Sequence, residues 1–95
     1  MEMEHFEADL WKGIEESKRL NYPPNRFIQM VKQYGAVEAT RMVVDTDKPG
    51  DGFVKLAYLM DPPRPDLTSE QLVLNYPNLF SDEVVRKARE RLGRT

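Results

Sequence analysis

Apolar positions along this chain recur at helical spacing and are interrupted by proline, glycine and asparagine. Between Asn25 and Val44, the residues Phe27, Met30, Val31 and Tyr34 fall at i, i+3, i+4 and i+7, which sets them on one face of a helix, and Ile28 widens that stripe. Pro23 and Pro24 suit its start, because proline in the first turn gives up only an N–H that has no helical partner; Asn25 is an alternative cap. Gly35 follows where a helix ends in a left-handed residue, a conformation glycine reaches without a Cβ clash. A second helix is expected from Ala36 to Val44, with Val37, Thr40 and Val44 on one edge and Ala36, Ala39 and Val43 beside them. This pair is the expected centre of the fold.

Upstream, Phe6, Leu10 and Ile14 recur every four residues and predict an amphipathic helix from Glu4 to Leu20, with Glu15 and Arg19 as an i, i+4 ion pair. Gly13 sits inside it, either as a close approach to a neighbouring helix or as a tolerated weak point. Tyr22-Pro23-Pro24 ends it, since a residue preceding proline is pushed out of the α region. Downstream, Asp45 to Gly52 is built almost wholly of turn residues. Phe53 to Leu59 fits either a two-turn helix or a strand; helix is preferred, because a lone strand would lack a partner. Asp61 to Asp66, with three prolines, is expected to be an extended, stiff spacer. Thr68 and Gln71 form a capping box for a short helix from Ser69 to Leu74. Ser81 caps a last helix that carries Asp82 and Glu83 in its first turn and Arg86, Lys87, Arg89 and Arg91 toward its end, matching the helix dipole. Leu20-Asn21-Tyr22-Pro23 and Leu74-Asn75-Tyr76-Pro77 repeat the same four residues, each where one helix gives way to another.

These elements predict an all-α fold: one domain, residues 1–95, as a compact bundle of five or six short helices. Its core is expected from Phe6, Leu10, Ile14, Phe27, Val31, Tyr34, Val43, Phe53, Leu56, Leu72, Phe80, Val84, Ala88 and Leu92. With 32% charged residues and net charge −2, the chain has the profile of an ordinary soluble globule. It contains no cysteine, which excludes disulfides and thiolate metal sites. The N-terminal stretch is acidic, without the basic-then-apolar order of a secretory signal, and no apolar run approaches the ~20 residues that span a bilayer. A cytoplasmic protein without a membrane partner is expected.

Candidate chemistry is sparse. Asp45, Asp47 and Gly50 match the opening of an EF-hand loop, but Pro49 and Leu56 occupy two of its ligand positions, so a solvated acidic turn is the better reading. The helix–glycine–helix from Asn25 to Val44 has the outline of a DNA-binding helix-turn-helix, yet its second helix offers only Glu38, Thr40 and Arg41 to base edges. Pro62 to Pro65 has PxxP spacing and reads as a rigid connector. His5 is the single histidine, with no second group to complete a nucleophilic or metal constellation. No catalytic residue, metal or cofactor is expected. The one basic patch is Arg86, Lys87, Arg89, Arg91 and Arg94, which defines an alternative reading as a nucleic-acid-associated protein. It could instead face the acidic first helix. Exposed aromatic residues among Trp11, Tyr22, Tyr34, Tyr58 and Tyr76 would be interface anchors.

Gly52-Phe53, Leu56, Asp66-Leu67-Thr68, Glu70, Leu72-Val73-Leu74, Leu79-Phe80-Ser81, Ala88-Arg89 and Arg91-Leu92 form a series that resembles a small helical domain recurring in uncharacterised bacterial proteins, with the pattern GF…L…DLT-x-E-x-LVL…LF-S/T…AR-x-RL. The upstream NRFIQMV…G-x-VEA-x-R is similar too, so the resemblance runs from Asn25 to Leu92; the proline-rich Asp61 to Pro65 departs from it. It implies a bacterial or phage origin and carries no activity. The expected function is a non-enzymatic interaction or regulatory module whose partner is another protein.

Overall fold

The computed structural model describes residues 1–93. Its first helix, α1 (Glu2–Arg19), buries Phe6, Leu10, Ile14 and Ser17 along one stripe. Asn21 ends it in a left-handed conformation (φ 68°), with Tyr22 N–H donating to the Ser17 carbonyl at 2.9 Å and Asn21 N–H to that of Lys18 at 3.0 Å. This is a Schellman stop, which satisfies the last carbonyls before the prolines take over. Two helices follow, α2 (Asn25–Tyr34) and α3 (Ala36–Val44), joined at Gly35 with φ 91°. Ala36 and Ala39 are buried, and their small side chains let α3 approach its neighbours closely.

Asp51–Val54 forms a short helix, α4, that runs directly into one π-helical turn, Lys55–Leu59. The helical alternative for Phe53 to Leu59 is therefore the correct one. In the wider turn Tyr58 meets Phe53, five residues back, with ring centroids 5.8 Å apart, rather than sharing a face with Val54. The proline segment is not an extended spacer. Arg64 N–H donates to the Leu56 carbonyl at 2.6 Å, so the chain doubles back, and Pro65–Leu67 closes a 3₁₀ turn. Helix α5 (Ser69–Asn75) starts on the Thr68 hydroxyl, which accepts from Gln71 N–H at 3.1 Å; the Gln71 side chain binds Asn75 instead of completing the box. After a 3₁₀ turn at Pro77–Leu79, α6 (Asp82–Arg91) is capped by Ser81.

The six helices form an all-α bundle, with no strand among the described residues, and none of the helices is long and apolar enough to cross a membrane. Its radius of gyration, 12.2 Å, is that of a folded chain of this length. One core cluster joins Phe6, Leu10 and Ile14 to Ile28, Val31, Ala36 and Ala39; a second joins Val44, Val73, Val84 and Ala88. Phe80 is half-buried between them and packs against both.

The core differs from expectation at the rims of helices. Tyr34 is 47% exposed, because the inward direction of α2 lies between Ile28 and Val31 and the helix ends at its outer edge. Phe27, Val43, Leu72 and Leu92 are half-buried, and Ile28, Val44 and Val73 take the interior positions. In each case the apolar stripe was broader than the interior that received it. The ion pairs of α1 are Glu16 with Arg19 and Glu15 with Lys18, at i, i+3 rather than i, i+4. Phe6→Ala should lower stability by about 3–5 kcal/mol, since it empties the centre of the larger cluster; Tyr34→Ala should shift it by less than about 0.5 kcal/mol. Urea unfolding of the two variants checks both.

Candidate binding groove

Four segments meet around α1 without filling the space between them, leaving a groove of about 760 Å³. Its apolar lining comes from Leu10 and Ile14 of α1, Phe27 and Met30 of α2, and Phe53 and Leu56 of the α4 segment. Helical periodicity places Leu10 and Ile14 inward, and the doubling back at Arg64 carries Leu56 towards them. Gly13 lines the same groove, and no atom lies within 4 Å of where its Cβ would sit. The helix therefore carries a residue about 1 kcal/mol poorer than alanine at a position that borders the groove. Close helix approach is not the reason for that glycine.

Three of the groove's acidic residues, Asp9, Asp66 and Glu70, are each engaged by a partner from outside it. Glu70, at its border in the first turn of α5, is 2% exposed, and its carboxylate accepts from Arg91 of α6 at 3.1 Å. Burial pushes this carboxyl up from its usual value, opposed by its own backbone N–H and by Arg91. Arg64 donates to Glu16 of α1 at 3.1 Å and to both Asp66 oxygens at 3.0 and 2.9 Å, fixing the proline segment to α1. The hydrogen bonds from Arg19 and Arg64 hold the Glu16 carboxyl down at about 2. Tyr76 donates its hydroxyl proton to Asp9, another groove residue, and this bond raises the Tyr76 pKa.

The basic residues of the C-terminal helix do not gather into one open surface. Arg86 lies between Glu83 and Glu90 of its own helix, and Lys87 donates to Asp45 at 3.0 Å. The Arg91 side chain is 8% exposed and binds both Glu70 and Thr46. Arg89 is exposed and makes no ion pair among the described residues; Arg94 lies outside them. Nor does this helix face acidic α1, because its long-range pairs go to Asp45 and Glu70. In α3, Arg41 is engaged by Glu38 and Asp45. Asp45 is thus a partner of two cations, held below its usual pKa chiefly by Lys87. Among the described residues no three His, Asp or Glu side chains converge to hold a metal ion. His5 is exposed on α1.

The groove itself was not legible from the sequence. Gly13 was the one local signal, and its neighbours across the gap come from stretches up to sixty residues away. Comparison with protein-family models, with characterised proteins and with solved structures finds no match for this chain.

Arg91→Met should cost about 3–5 kcal/mol, because it leaves a buried carboxylate without its counter-charge, whereas Glu70→Leu combined with Arg91→Met should recover most of that loss. Unfolding free energies of the single and double variants decide it. The two carboxyls also have opposite pH signatures. Glu70 binds its proton more tightly when folded, so its contribution is present below pH 4.5 and lost as pH rises through its folded value. Glu16 binds it less tightly when folded, so its contribution is present above pH 4.5 and lost as pH falls towards about 2. Glu16→Gln should flatten the acid limb of a stability–pH curve, and Glu70→Gln should remove the decline on the other side.

Proposed function

We propose that this chain is a non-enzymatic protein-interaction module, working in the cytoplasm of a bacterium or in the service of a phage, whose groove receives an apolar segment of a partner protein. The observation that carries this reading is the open groove beside α1, apolar on its walls and kept clear at Gly13. Its volume lies within the roughly 300–1,000 Å³ of sites that enclose a ligand. Met30 and Met42 line it, and their unbranched side chains adapt to varied apolar shapes. Trp11, 37% exposed on α1, supplies an aromatic surface nearby in sequence of the kind that dominates interface energies. The internal pairing of Arg86, Lys87 and Arg91 favours this reading over nucleic-acid binding, which needs cations available to phosphates.

Selection of a displayed peptide library on the immobilised chain tests the proposal. Apolar peptides should be enriched, and Gly13→Leu should weaken the best of them by at least about tenfold, a loss of ~1.4 kcal/mol. The leucine points into open space, so the variant should melt no lower than the parent. Failure to enrich any peptide would refute the groove as a receptor; binding to a random DNA duplex that collapses between low and high salt would support the basic helix in its place.

A further inference from the structure

Two exposed apolar residues follow directly on a segment that lines the groove. Tyr58 and Leu59 are 65% and 67% exposed, at the end of the π turn that follows α4. They are held firmly. Met60 N–H donates to the Lys55 carbonyl at 2.8 Å, Arg64 N–H donates to that of Leu56, and the Tyr58 ring stands edge-on to Phe53, which lines the groove. An apolar projection and an apolar recess therefore adjoin on one face.

Resting on the groove reading, we infer that the groove's occupant is a second copy of this chain, in a two-fold pair where Tyr58 and Leu59 of each copy enter the groove of the other. A two-fold contact requires a surface that is complementary to itself, so that residue i meets j while j meets i. A projection beside a recess meets that requirement directly. The charges agree. Asp51, exposed at the groove's margin, and Lys55 lie one helical turn apart, and neither is in an ion pair among the described residues. When this segment runs antiparallel to its symmetry mate, Asp51 of each copy faces Lys55 of the other, twice. Lys55 stands 6.0 Å from the Tyr22 ring centroid, at the outer limit of a cation–π contact, which leaves it able to reach across. A groove of about 760 Å³ has room for one tyrosine and one leucine side chain.

Sedimentation equilibrium of the whole chain, from about 5 to about 300 μM, should show the mass rising from one chain to two by mass action. Leu59→Asp removes the projection and Gly13→Leu fills the recess; each should weaken association at least about tenfold, with unchanged helical circular dichroism. Mixing those two variants should restore a heterodimer through the one projection and one recess that remain. Asp51→Lys should set lysine against lysine and disperse the pair, and adding Lys55→Asp should bring it back. A single-chain mass at the highest concentration, or a dimer indifferent to these changes, would overturn the inference. A monomer that still binds selected peptides in a Gly13→Leu-sensitive way would leave the groove as a receptor for another protein; a monomer that selects none would remove both readings.

Discussion

The fold depends most on the packing of Phe6 against the segment between α5 and α6. Its side chain is fully buried, edge-on to Tyr76 at a centroid distance of 5.4 Å and tilted against Phe80 at 5.7 Å. Rings at these separations add to the area they bury because the positive edge of one meets the negative face of another. These two contacts join the first turns of the chain to its last quarter. Phe80 in turn touches the second core cluster, so α1, α5 and α6 are coupled through one aromatic junction. The central pair, α2 and α3, packs against itself and joins α1 in the larger core cluster beside that junction.

Ionic contacts finish what burial begins. Three pairs link distant parts of the chain: Glu16 with Arg64, Asp45 with Lys87, and Glu70 with Arg91. The first and second fasten irregular segments, the proline stretch and the loop after α3, to helices. Irregular backbone buries little apolar area, so directed polar bonds hold it in place where packing alone would leave it loose. Glu70 and Arg91 differ, being almost wholly removed from water. Their mutual attraction must offset a large desolvation penalty, and the contact ties the first turn of α5 to the last turn of α6.

The groove is a consequence of the same arrangement. Short helices separated by proline and glycine turns cannot close over the middle of an eighteen-residue helix on every side. Where α2, the α4 segment and the turn before α5 diverge, Gly13 of α1 borders the space left between them. A side chain there would have filled part of the gap. The exposed π turn borders the same region, so the recess and the projection share a common origin in the doubling back of the chain at Arg64.

Periodicity and capping determined the helices. Spacing of apolar residues, the Ser81 and Thr68 caps, the Gly35 joint and the inward run of Phe6, Leu10 and Ile14 all act over a turn or two, a range at which the chain's own chemistry decides. Which edge of each stripe went inside was decided only by neighbours, as Ile28 displacing Tyr34 and Val73 displacing Leu72 illustrate. The repeated Leu-Asn-Tyr-Pro shows the same division. Both copies end a helix, as their residues dictate. The first does so with a left-handed Asn21; in the second Asn75 stays helical, its side chain held by Gln71, and Tyr76 leaves the helix to reach Phe6 and Asp9. The basic C-terminal residues were legible as a patch, but their pairing with Asp45, Glu70 and Thr46 was not, because those partners lie 21 to 45 residues away. Local sequence sets which elements form; only tertiary packing sets what they face, because burial is a property of the assembled surface and not of any one segment.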